Sequence, residues 1–218
     1  MSGPALTAVV VPDPAETWAD AGFSVTDVDG SPAVQIGSTL IRFDDDAVGW
    51  SFAEPVGSLL GLPTSVAPRP AADAPDHPNG ITAFDHVVVA TETLTETIDA
   101  LAAAGFELRR VRDIPGATPP RQQAFLWAGD VILEVVGPAS SSGRAAGGTA
   151  GDSTAPTASI WGLALTADDL DATAESLGDR LGSVKDAVQQ GRRIATLRTR
   201  ELGIGLPIAV MSPHPQPR

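Results

Sequence analysis

Residues 81–111, ITAFDHVVVATETLTETIDALAAAGFELRRV, carry the pattern that decides the fold. Val87, Val88 and Val89, bracketed by Phe84 and Ala90, form a short β-branched run that suits a buried strand better than a helical turn. Thr93 then opens a helix. Its hydroxyl is placed to accept from the first turn, Glu96 completes a capping box, and Leu94, Ile98 and Leu101 share one face. Gly105 ends the helix in the left-handed conformation that other residues resist, and Phe106 begins a return strand.

Working outward, strands at 122–128 and 131–136, joined by a Gly129-Asp130 turn, complete a unit of strand, helix and three strands. The same grammar runs upstream. A strand at 6–11 precedes Asp13-Pro14-Ala15-Glu16, read as N-cap, first-turn proline and capping-box glutamate. Ala21-Gly22-Phe23 then repeats Ala104-Gly105-Phe106, and three strands follow between residues 23 and 43. Downstream, a strand at 160–165 leads to a weaker cap at Asp169, a stripe of Leu170, Ala174, Leu177 and Leu181, a stop at Gly182, and strands at 184–188, 193–199 and 206–211. Ala8, His86 and Gly162 recur at nearly equal intervals, the mark of an internal repeat. The predicted organisation is a shortened module at 1–62, a Pro/Ala-rich linker at 63–80 with His77 in solvent, a module at 81–138, a flexible Gly/Ser tract at 139–158, a module at 159–213 and a loose tail at 214–218.

With 218 residues, 43% of them hydrophobic, the chain can bury a substantial core. A net charge of −13 and a single lysine, Lys185, exclude the phosphate-neutralising surface of a nucleic-acid binder and disfavour anionic membranes. The first residues lack the basic and long apolar regions of a signal peptide or membrane span, so the expected location is the cytoplasm. Without cysteine there is no disulfide framework, thiolate nucleophile or sulfur metal site.

Glu134 interrupts an otherwise apolar strand, VILEVV, and must be paired, coordinated or protonated there. FDHVVVAT opening this module and ILEVVGP closing it resemble the vicinal oxygen chelate family, which includes glyoxalase I, bleomycin-resistance proteins and extradiol dioxygenases. The resemblance implies an α+β fold of tandem βαβββ modules, here three with the first shortened, pairing into an open, curled mixed-sheet barrel of glyoxalase-like type around a small-molecule site. Metal-binding members take ligands from the first and last strands of each module. That places His86 and Glu134 at ligand positions, with Gly162 and Ala209 in the third module and Ala8 and Arg42 in the first.

An imidazole and a carboxylate suit zinc, nickel, manganese or iron, with water or substrate oxygens completing the shell. Without a metal the same pair can move protons. The competing reading of His86 is a hydrogen-bonded core residue. Gln122-Gln123 and Arg192-Arg193 precede corresponding strands, and alternation sends one of each inward. Gln123 and Arg193, or Arg192 if the register differs by one, are therefore candidate ligand contacts, the arginine for an organic anion. Their alternative is a solvated strand end. Trp127 and Trp161 offer flat apolar walls or core packing. The cavity is predicted between His86 with Glu134 on one side and Gly162 with Ala209 on the other. His77 and His214 lie in proline-rich loops, which argues against a two-histidine iron site, and Gly49–Ala53 only half resembles a nucleophile elbow.

These readings converge on a glyoxalase-like small-molecule-binding protein with a degenerate divalent-metal site at His86 and Glu134 and lyase or isomerase chemistry on a small oxygenated substrate, those two residues being catalytic. The alternatives are a non-catalytic binding protein of bleomycin-resistance type and a structural dimer module. An odd number of modules leaves one apolar face without a partner, so a homodimer is expected.

Overall fold

The computed structural model describes residues 3–44, 46–139 and 157–215; most of the Gly/Ser tract, the middle of the Asp44–Asp46 turn and the last tail residues lie outside the described residues. The chain forms two mixed sheets. The first contains β1 (Leu6–Val11), β2 (Val25–Val28), β3 (Ser31–Ile36), β4 (Thr39–Phe43), β5 (Gly49–Phe52) and β6 (Thr64–Val66), with α1 (Ala15–Asp20) after β1 and the strand order β2-β3-β4-β1-β5-β6. The second is built from two modules. One is β7 (Ile81–Thr91), α2 (Leu94–Ala103), β8 (Glu107–Asp113), β9 (Arg121–Ala128) and β10 (Val131–Pro138). The other is β11 (Ala158–Ala167), α3 (Leu170–Leu177), β12 (Lys185–Asp186), β13 (Arg193–Thr196), α4 (Thr199–Leu202) and β14 (Ile208–Met211). Their order is β12-β13-β14-β11-β7-β10-β9-β8, so the two first strands, β7 and β11, pair antiparallel at the centre.

Period-two alternation sorts the strand residues. Val9, Val87, Val89, Leu133 and Leu165 join Trp18, Leu94, Leu101, Leu170 and Leu177 of the helices in one continuous core. Residues of the opposite parity, His86 and Glu134 among them, are left for the other face of the sheet. Of the three helix starts with cap signals in the sequence, only that of α3 keeps its side-chain cap. Asp169 caps α3 through Asp171 N and Ala172 N, both 3.0 Å away. Thr93 makes no side-chain cap bond, and its N–H donates to Thr91 Oγ1 instead. Asp13 does not cap α1, because its two oxygens accept from Trp18 Nε1 at 3.0 Å and Gly205 N at 2.9 Å, tying the first module to the third.

The first module is not left without a partner. β5 runs antiparallel to β1 and β6 runs parallel to β5. Trp50 N donates to the Pro63 carbonyl at 3.0 Å, as Leu163 N does to that of Pro207 at 2.9 Å. A Cβ on Gly49 would stand 2.7 Å from the Pro63 oxygen, and one on Gly162 would stand 2.9 Å from the Pro207 oxygen. β5 and β6 therefore stand where β11 and β14 stand, as a fourth module reduced to its first and last strands. Ser51, at the centre of the supposed elbow, is a strand residue bonded to Ser65 at 2.8 Å. With that edge occupied in cis, the reason for expecting a second copy there falls away. The close approach also makes a prediction: Gly162→Ala should cost about 1–3 kcal/mol by overpacking against backbone, read as a lowered denaturation midpoint at unchanged slope.

His77 is buried rather than solvent-exposed, at 7% accessibility. Its Nδ1 accepts from Ser24 N at 3.1 Å, leaving Nε2 to donate to the Gln35 carbonyl at 2.9 Å. Both nitrogens are thus committed in the neutral ring. Burial lowers its pKa below the ordinary 6.5, against smaller opposing effects of the Gln35 carbonyl and Asp76. A depressed histidine pKa means the unfolded chain binds the extra proton first, so this contribution is complete above about pH 6.5 and is lost as pH falls below it. His77→Ala should cost about 1–3 kcal/mol near neutrality by stranding the Ser24 N–H and the buried Gln35 carbonyl, and should flatten stability against pH in that window, as read by urea titrations. Among the described residues no helix is long and apolar enough to cross a membrane.

Candidate functional site

Three first strands carry a β-bulge at the same place. The extra residue is Thr7 in β1, Asp85 in β7 and Trp161 in β11, each just before the equivalent positions Ala8, His86 and Gly162. A bulge breaks the alternation of side chains. In β7 it brings Asp85 against its neighbour, Oδ1 lying 2.7 Å from His86 Nδ1. On the other side of the ring, His86 Nε2 lies 3.2 Å from Glu134 Oε2, supplied by β10, which pairs parallel with β7 through Ile132 and His86.

The pair is extended at both ends. Glu134 Oε1 accepts from Gln123 Nε2, and Gln123 Oε1 accepts from Arg112 Nε at 2.8 Å. At the other end Arg192 Nη2 lies 2.6 Å from Asp85 Oδ2. Arg192 also donates to the Ser212 carbonyl at 2.8 Å and to Gln189 Oε1 at 2.7 Å. The result is one row of contacts: guanidinium, amide, carboxylate, imidazole, carboxylate, guanidinium.

That row fixes most of its protons. Arg112 can only donate, so Gln123 turns its oxygen to Arg112 and its NH2 to Glu134, whose Oε1 must accept. Burial would push the Asp85 carboxyl up, but the His86 hydrogen bond and the Arg192 charge outweigh it and hold it well below the usual carboxylate range. Asp85 is therefore ionised, and His86 Nδ1 carries the hydrogen between them. His86 Nε2 and Glu134 Oε2 stand 3.2 Å apart, close enough for a proton to pass from one to the other. Both side chains keep some exposure there, 13% for His86 and 11% for Glu134.

A cavity of about 360 Å³ opens over His86. Phe125, Trp127 and Ile132 form its apolar wall, Arg109 and Arg110 of β8 its rim, and Gln189 and His214 its far side. The far side is thus not Gly162 and Ala209, since the Pro207 carbonyl takes the space beside Gly162. Arg193 points outward and forms a two-pronged ion pair with Asp171, both bonds 2.8 Å. Arg192 is the inward member of that pair, but its guanidinium is fully buried on Asp85 and cannot meet a ligand. Trp161, as a bulge residue, is 62% exposed and away from the cavity. His214 comes back from the tail to within 3.2 Å of Arg192 Nη1. Gln123 stands behind Glu134, and Trp127 lies in the wall. Asp85, Arg110 and Phe125 escaped sequence reasoning; only the Asp-His dipeptide and the Arg109-Arg110 doublet could have flagged them.

The donor set does not fit a resident metal ion. His86 and Glu134 are two donors, and the matching positions in strand pairing are Ala8 and Arg42, Gly49 and Ser65, and Gly162 and Ala209. None supplies an imidazole or carboxylate, Arg42 being paired with Asp29. Among the described residues no three histidine, aspartate or glutamate side chains are grouped to hold a metal.

Two βαβββ modules joined through their first strands in one mixed sheet are the class of fold that the resemblance to the vicinal oxygen chelate family implied. Within it the chain belongs to the family described as glyoxalase-like domain, whose profile matches residues 84–209. A mutant of 4-hydroxymandelate synthase from Streptomyces coelicolor is similar over 97% of this chain and 93% of its own, at 13% identity and a TM-score of 0.59. Methylmalonyl-CoA epimerase from Mycobacterium tuberculosis is similar over 62% of this chain and 91% of its own, at 22% identity and a TM-score of 0.44. No curated protein shows comparable sequence similarity.

Proposed function

We propose that the protein transfers protons on a small oxygenated substrate, in the manner of an isomerase or lyase, at His86 and Glu134. The observation that carries this reading is the 3.2 Å approach of His86 Nε2 to Glu134 Oε2, with His86 lining the cavity. The pair offers two basic atoms, Nε2 and Oε2. It can take a proton from an acidic C–H beside a bound carbonyl, leaving the electron pair as an enolate, and return it to a neighbouring atom or let a leaving group depart. Asp85 and Arg192 orient the imidazole, while Gln123 and Arg112 orient the carboxylate.

Solvent deuterium incorporation into a panel of small carbonyl carboxylates, followed by proton NMR, tests the reading. Enzyme-dependent exchange at the activated carbon is expected. A second reading, non-catalytic ligand binding, draws on the missing donors of the other modules. Ligand binding with no exchange across the panel would establish it in place of the first.

A further inference from the structure

Resting on the reading above, we propose that Arg109 and Arg110 form the anion-binding end of the cavity and that its ligand is a small carboxylate with a flat, unsaturated body. The first support is a second bulge. Leu108 pairs with Leu126 and Arg110 with Phe125, leaving Arg109 as an extra residue in β8. Consecutive strand residues ordinarily face opposite ways, yet Arg109 and Arg110 both line the cavity. Two bulges, in β7 and in β8, thus each aim a consecutive pair of polar side chains at the same space.

The second support is what each guanidinium is doing. Arg112 is committed to Gln123. Arg109 meets Glu107 at 3.1 Å, with both side chains more than half exposed, a weak surface pair that a ligand can replace. Arg110 has no hydrogen bond or ion pair among the described residues, although the chain carries 27 acidic residues against 14 basic ones. Its guanidinium carbon is instead 4.8 Å from the centroid of the Phe125 ring. A guanidinium stacked on an aromatic face is held in place while its N–H edge stays free to take a carboxylate.

The remaining wall sets the ligand's body. Trp127, Phe125 and Ile132 are flat or apolar, and about 360 Å³ falls in the small-molecule range. A ligand lying along this wall has its carboxylate at Arg110 and its other end over His86. Charges on an edge strand also discourage strand pairing between molecules, which explains the composition of β8 but not why both arginines turn into the cavity.

Calorimetric titration of the whole protein with cinnamate, with its neutral analogue cinnamamide, and with saturated hexanoate separates the contributions. Cinnamate should bind at least tenfold more tightly than either of the others. Arg110→Gln should weaken cinnamate about ten- to a hundredfold and abolish the preference for acid over amide, whereas Arg193→Gln, outside the cavity, should change neither. Circular dichroism of each variant guards against misfolding. Equal affinity for acid and amide, no cinnamate binding, or a preference that survives Arg110→Gln would overturn the proposal. Charge-dependent binding without deuterium exchange would sink only the proton-transfer reading, and exchange with acid and amide bound alike would sink only the carboxylate site.

Discussion

Arg192→Met is expected to destabilise the protein by about 3–5 kcal/mol at neutral pH, because it leaves the Asp85 carboxylate buried without its counter-charge. The Arg192 side chain has no accessible surface and that of Asp85 has 5%, so neither charge is well solvated in the folded protein. Methionine keeps much of the volume and removes the charge, which separates this effect from a cavity. Asp85 has a folded pKa below its ordinary 3.8. A depressed carboxylate contributes stability that is complete above that ordinary value and is lost as pH falls through the folded one. The deficit of the variant should therefore be largest near neutrality and shrink toward strong acid. Denaturant titrations at neutral and acid pH check both, and a loss under 1 kcal/mol would mean that the pair is not buried as described. Because Arg192 also holds the Ser212 carbonyl and approaches His214, the far side of the cavity should loosen as well, seen as faster amide exchange after β14.

Glu134→Gln should reduce deuterium exchange by about 10²–10⁴-fold while changing the fold little, because the amide has the carboxylate's shape and cannot hold or pass the proton. Its partners are fixed from both sides, Gln123 on Oε1 and His86 on Oε2, so the substitution tests the proton and not the placement. A stability cycle of His86→Ala and Glu134→Ala should in addition show an interaction of about 0.5–3 kcal/mol, since the two meet directly. Strict additivity would separate them, and exchange undiminished in Glu134→Gln would move the chemistry elsewhere.

The alternation of Val87 and Val89 against His86, the stop at Gly105 and the recurrence of the unit at Ala8 and Gly162 were legible because they depend on local conformation and spacing. A buried Glu134 in VILEVV was legible too, since a carboxylate in an apolar strand needs a partner wherever the strand lies. These features marked the repeated strand-helix-strand units and their order, and the resemblance they carry pointed to His86 and Glu134. What lies around that pair was decided by strand pairing. Asp85 beside His86 and Arg109 beside Arg110 should by alternation face away from one another, and Arg192 rather than Arg193 is the inward member of its pair. Alternation predicts direction only while the ladder is unbroken; one extra residue resets it, and whether a residue is extra depends on a partner strand far away in sequence. β5 and β6 were hidden for a related reason. Strands of four and three residues carry too little periodicity to be read alone, and only the β1 edge and the backbone approach of Pro63 to Gly49 make them a sheet. His77 likewise sits in a segment with every compositional mark of a solvent loop, and it is buried because Ser24 and Gln35, more than forty residues away, present a donor and an acceptor that a neutral imidazole matches.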